Sequence, residues 1–173
     1  YLLFRDPPWT GTDDDYPGHT GIDICFHTPV GGWSPSDWND MVNNPVDVLA
    51  AAPGIVVWKN DQFQDQCVSG GNYSPFGPID PHNQGGSLCD GWKYNNCIII
   101  DHGEQKSGGP TYRYTGYWHL AKDSIPSSVA IGATVNRGDR IAYVGSSGNS
   151  NAPHLHFSVC TDLDPWPENG PGG

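Results

Sequence analysis

Glycine or proline interrupts this chain so often that no long helix can survive in it. The 23 glycines and 16 prolines are spread through the sequence, and no stretch of Ala, Leu, Glu or Lys is long enough to offset them. Between them lie short, β-branched runs: Gly21 to Cys25, Val46 to Ala51, Gly54 to Lys59, Cys97 to Asp101, Thr111 to Leu120, Arg140 to Val144 and His154 to Cys160. Runs of this length, closed by turn residues, are strands. The expected fold is all-β, a compact, flattened antiparallel sheet or barrel-like domain with long loops. One helix start stands out: Ser34 can cap, Pro35 suits the first helical position and Asp37 the first turn. That helix should be short and end near Asn43.

A chain of 173 residues builds one domain with a proper core. Residues 31–44, with Trp33 and Trp38, and residues 60–93, rich in Gly, Pro, Asn and Gln, read as loop insertions. Residues 162–173 read as a C-terminal strap. Five cysteines (Cys25, Cys67, Cys89, Cys97, Cys160) form no Cys-x-x-Cys pair, so disulfides in an oxidising compartment are the better account. An odd count leaves one out, and fifteen two-bridge patterns stay open. The formal charge of −11 argues against nucleic acid or an anionic membrane as partner. No run approaches the roughly 20 apolar residues of a membrane span. The chain begins Tyr-Leu-Leu, and the expectation is a mature, secreted form cut from a longer precursor.

Two of the seven histidines flank one leucine in Asn-Ala-Pro-His-Leu-His-Phe-Ser-Val-Cys, residues 151–160. On a strand His154 and His156 share a face, with Cα atoms about 6.5 to 7 Å apart. That distance suits one metal site, with one imidazole on the ion and the other beside its water, while Leu155 faces the core. In Gly-His-Thr-Gly-Ile-Asp-Ile, residues 18–24, His19 and Asp23 stand four apart. The glycines and β-branched residues argue against a helix. His19 therefore belongs to a turn that feeds a strand carrying Asp23 toward the site, with Ile22 and Ile24 toward the core. Three ligands of types His, Asp and His, with a fourth position left to water, are what a catalytic zinc takes.

In order along the chain come His-x-x-x-Asp (His19, Asp23), Pro-Val…Ala-x-x-Gly-x-Val (Pro45 to Val56) and Tyr-x-Asn…Ile-Ile-Asp-His-Gly (Tyr94 to Gly103). Tyr-x-His-Leu (Tyr117 to Leu120), a Gly-rich stretch (Gly132 to Gly148) and Pro-His-Leu-His-Phe (Pro153 to Phe157) follow. Together these blocks resemble the M23 zinc endopeptidases, the lysostaphin, LytM and β-lytic group, over about residues 18–159. The resemblance implies that His19, Asp23 and His156 bind one Zn²⁺ per chain and that His119 and His154 flank it as the catalytic pair. It also implies cleavage of glycine-rich or small-residue peptides, in peptidoglycan cross-bridges and stem peptides or in elastin, by a monomeric, secreted bacterial enzyme. Trp33, Tyr94 and Trp118 are candidate walls of a narrow cleft, with Trp38 and Trp92 beside them. His27 and His82 match no block and read as surface residues, and His102 reads as structural.

No His-Glu-x-x-His occurs, so an imidazole must replace the glutamate base of other zinc peptidases. His154 is assigned to water activation, and His119 to the oxyanion or the leaving amine, with the two able to exchange. Two rivals are non-enzymatic. A metal-free relative serving as a partner-binding or amidase-activating module should lack a ligand, and none is missing. A lipoyl-type carrier needs a lysine at a hairpin tip, which neither Lys59 nor Lys122 provides.

Overall fold

The structure, a computed structural model, describes residues 22–25, 43–63, 65, 95–103, 113–148, 150 and 153–160. Its strands are β1 (Ile22–Cys25), β2 (Asp47–Leu49), β3 (Gly54–Asn60), β4 (Cys97–Asp101), β5 (Tyr114–Trp118), β6 (Thr134–Val135), β7 (Arg140–Tyr143) and β8 (His154–Cys160). Six form one sheet in the order β1-β8-β5-β4-β3-β6, and β2 pairs with β7 in a second. Every pairing is antiparallel, so the fold is the all-β antiparallel one expected.

One face of the large sheet presents Val56, Ile98, Ile100, Tyr117 and Leu155 to Val48 of β2 and Ile141 and Ala142 of β7, in one buried cluster. Each aliphatic side chain so buried contributes about 1.5–3 kcal/mol. Alternation along β8 sends Leu155 to this core and leaves His154, His156 and Ser158 for the opposite face. Cys97 to Ile100 of β4 are buried throughout, which is why that strand reads as an unbroken apolar run.

β4 and β8 have the bounds read from the sequence, whereas β1, β2, β3, β5 and β7 differ from theirs by one to three residues at an end. β5 ends at Trp118 instead of Leu120 because His119 turns left-handed, with φ of 60°. β2 is confined to Asp47–Leu49, since Ala50 already bonds outside the strand, its N–H donating to Asp139 O. β6 was not foreseen, because two residues carry no alternation. A further correction concerns β1: Ile24 packs against the core, but Ile22 is 65% exposed, at the outer edge of the sheet, where no second layer covers it among the described residues.

His102 ties the end of β4 to the turn before β3. Its Nδ1 lies 2.7 Å from Pro53 O and its Nε2 2.7 Å from Thr115 Oγ1. The crossing is close enough to require glycine at position 54, where a Cβ would stand 2.5 Å from Ile100 Cγ2. Arg113 forks onto Asp101, Nε to Oδ1 at 3.0 Å and Nη2 to Oδ2 at 2.7 Å, and closes the β4–β5 end.

Cys97 carries a free, buried thiol, which burial pushes up to about 12. It is therefore left out of any bridge. Cys67 and Cys89 lie outside the described residues, as do most of the two insertions, the strap and, but for Asn43, the expected helix. Among the described residues no helix is long and apolar enough to cross a membrane.

Candidate active site

β1 lies on the outer edge of β8 in the register Asp23 opposite His156. Directly opposed residues of an antiparallel pair share a face, so Asp23 joins the histidine side of β8. His156 Nδ1 lies 2.8 Å from Asp23 Oδ1, and His154 Nε2 stands 3.8 Å from the same oxygen. Both imidazoles are buried, whereas the Asp23 side chain keeps 39% of its surface. The carboxylate therefore marks the open side of the site.

His119 arrives from the end of β5. Its ring centroid lies 4.4 Å from that of His154 and 6.1 Å from that of His156. The left-handed backbone costs an L-residue about 1–2 kcal/mol, and such outliers concentrate at functional sites. Three contacts hold the residue there. Its N–H donates to Asn95 Oδ1 at 2.8 Å, its carbonyl accepts from Gly145 N at 2.9 Å, and its Nδ1 lies 2.6 Å from Ser147 O. A carbonyl can only accept, so Nδ1 carries the proton and Nε2 the lone pair. Burial first, and then the neighbouring His154, push His119 down to about 3, which keeps this ring neutral at pH 7.

Behind His154 runs a hydroxyl chain. Ser150 Oγ lies 3.3 Å from His154 Nδ1 and 2.6 Å from Ser146 Oγ. Trp118, opposite His156 across β5 and β8, is 4% exposed and its indole N–H donates to Ser158 Oγ at 3.2 Å. It packs beside His156 on the same face of the sheet, with little ring surface exposed. Four of the five site residues expected from the sequence thus come together. His19, Trp33 and Tyr94 lie outside the described residues. Asn95, Ser147 and Ser150 escaped the sequence reading. The available signals were small: Asn95 sits inside the Tyr-x-Asn block, and a Ser-Ser pair follows Gly145.

Among the described residues, no group of three or more His, Cys, Asp or Glu side chains is set to hold a metal ion. Asp23 and His156 nevertheless supply two donors of the kinds zinc takes. Zinc bonds of ~2.0–2.2 Å in a tetrahedron put neighbouring ligand atoms ~3.3–3.6 Å apart, so Oδ1 and Nδ1, at 2.8 Å, would part by roughly half an ångström or a little more to take the ion. The donor set fits that ion with one further protein ligand.

The family model for peptidase family M23 matches residues 79–166, half of the chain. The chain belongs to peptidase family M23. The M23 match takes in His119, His154 and His156 but not Asp23, which the β1–β8 pairing brings to them across the sheet. Among solved structures, the chain is similar to the catalytic domain of the antimicrobial peptidase lysostaphin from Staphylococcus simulans, at 20% identity and a TM-score of 0.41 over 82% of this chain and 65% of that one. It is also similar to the catalytic domain of the prophage-encoded M23 protein EnpA from Enterococcus faecalis, at 20% identity and 0.42 over 87% and 72%. For a zinc-containing peptidase from Vibrio cholerae the values are 22% and 0.40 over 82% and 26%, so this M23 chain spans about a quarter of that protein.

Proposed function

We propose that this M23 peptidase is an extracellular zinc metalloendopeptidase acting on glycine-rich or small-residue peptides, with peptidoglycan cross-bridges and stem peptides as first substrates and elastin as a companion. The observation that carries the reading is the meeting of one half-open carboxylate with three buried imidazoles, Asp23 with His156 at 2.8 Å and His119 with His154 at 4.4 Å between ring centroids.

Asp23, His156 and His19 would hold the ion. When bound, Zn²⁺ supplies water acid enough to ionise near neutral pH and polarises the scissile carbonyl. The remaining two histidines move protons. His119, with Nδ1–H given to Ser147 O, offers the Nε2 lone pair to the proton that the attacking water sheds and returns that proton to the leaving amine. His154, with the Ser150 hydroxyl at Nδ1, then faces the oxyanion with its other nitrogen. This allocation exchanges the roles expected from the sequence, and the Ser147 contact is what favours it.

A backbone without Cβ atoms suits a cleft between aromatic walls, for which Trp33 and Tyr94 stand as candidates. The net charge of −11 favours a neutral or cationic substrate. The test is metal analysis together with mass spectrometry of products from pentaglycine, a peptidoglycan digest and elastin. About one zinc per chain, with cleavage abolished by a chelator and restored by zinc, is the expected result. A chain that binds no zinc, or cleaves none of the three substrates, overturns the reading.

A further inference from the structure

We propose that Asn95 is the positioning residue for His119, the side chain that turns the end of β5 into a working site. The inference rests on the reading of His119 as a catalytic residue. Asn95 is 2% exposed and lies 24 residues before its partner. Its Oδ1 accepts the His119 N–H at 2.8 Å, and its Nδ2 stands 3.2 Å from the His119 Nδ1. One planar amide thus holds the backbone N–H of the residue and packs against its ring; the ring contact is van der Waals, since Nδ1 gives its proton to Ser147 O. Ser147 Oγ gives its one hydrogen to Leu120 O at 2.9 Å and lies 3.4 Å from the same Asn95 Oδ1, so the segment whose carbonyl takes the ring proton packs directly against the amide.

The backbone at Gly148 is built around this side chain. Gly148 has φ of +74°, and a Cβ there would stand 2.9 Å from both Cβ and Cγ of Asn95. Any residue but glycine at position 148 would have to move that turn or the amide.

The consequence falls on His119 and spares the proposed ligands. Without Oδ1, the His119 N–H is left buried and unsatisfied, which is costly. Rotation of the Trp118–His119 peptide toward an extended conformation relieves it. That rotation swings the ring off Ser147 O and away from His154. Asp23 and His156 sit on β1 and β8, and the register between them does not pass through Asn95.

The test measures kcat, KM and zinc content for Asn95→Ala and Asn95→Asp, each alone and combined with His119→Ala. With His119 present, kcat of Asn95→Ala should fall about 10- to 100-fold, the scale of a reacting group displaced by about 1 Å. Asn95→Asp, which keeps an Oδ1 acceptor for the His119 N–H, should stay within about 3-fold of the parent, and KM and zinc content should be unchanged in both. In the His119→Ala background the same substitutions should cost less than about 2-fold more, because residues acting as a unit are not additive. A merely structural role would lower activity equally in both backgrounds, and that result overturns the proposal, as does a loss confined to KM or a loss of zinc. Asn95→Asp is nearly isosteric and keeps the acceptor, so a loss of about 10-fold or more in its kcat overturns the proposal whether or not Asn95→Ala folds. A fully active His119→Ala refutes the catalytic reading, whereas a crippled His119→Ala beside an unaffected Asn95→Ala refutes only the positioning role.

Discussion

His154 and His156 reach the site on a regular strand, whereas His119 reaches it on a residue that has just left one. On β8 the pleat alone aims both rings, and Leu155 between them is held in the core. At the end of β5 nothing periodic aims the ring. A left-handed residue, an asparagine, a serine carbonyl and a glycine amide do so together. The first arrangement draws its precision from the core, and the second from a polar network that exists for one residue. The strand-borne histidines should therefore be robust to small polar changes, and the kink-borne one should not.

The largest effect should come from the strand side. His156→Ala or Asp23→Ala is expected to empty the metal site and reduce peptidase activity to background, measured as zinc per chain and turnover. A zinc-loaded His156→Ala would break the assignment of that strand. Next, His119→Ala and His154→Ala should each keep zinc and lose ~10²–10⁴ in kcat, the usual worth of acid–base assistance. Leu155→Ala should cost ~2–5 kcal/mol in denaturant unfolding and loosen both β8 histidines together, which would appear as weaker zinc binding. Unchanged zinc affinity at that lowered stability would show that the core does not aim them.

Two smaller effects differ in sign with pH. Asp65 accepts from Ser146 N at 2.8 Å and Lys122 N at 3.3 Å, on either side of the His119 segment, and burial raises its carboxyl from 3.8 to about 6. The folded state thus binds the extra proton, so stability should fall as pH rises from about 4 to about 6 and level off above, by no more than ~3 kcal/mol. Asp65→Asn should flatten that slope in denaturation curves taken across the range. Asp101 is the reverse case, because the Arg113 fork holds its carboxyl below the usual range. Its contribution is present above the unfolded carboxyl's pKa and is lost as pH falls through the folded one. The pair is partly exposed, so Asp101→Asn should cost at most ~1 kcal/mol near neutral pH and little in acid. An unchanged acid limb in that variant would discard the ion pair's role.

The same contrast decides what could be read from the sequence. Cys97 to Asp101 and His154 to Cys160 were legible to the residue because each is an apolar or alternating run stopped by its neighbours. The facing of Leu155, and the shared face of His154 and His156, follow from period two alone. His119 was legible only through its resemblance to a known block. The aromatic run before it continues in sequence past the point where the strand stops. Asn95 was illegible, because its partners lie 24 and 52 positions away and an Asn-Asn pair ahead of a strand reads as ordinary loop. Ile22 was misread because its environment is set by the edge of the sheet, which no local pattern reports.

Asp23 and His156 stand 133 positions apart and meet only where β1 closes onto β8. With Asp23 and His156 as the proposed ligands, both β1 and β8 must therefore be synthesised before a carboxylate and an imidazole could share an ion. Contacts of such long sequence separation form slowly, since the loop between them must close first. A chain in which β1 and β8 have not yet met would lack the proposed centre, with nothing to cut itself or its neighbours. The β1–β8 pairing thus ties hydrolytic power to the completed sheet.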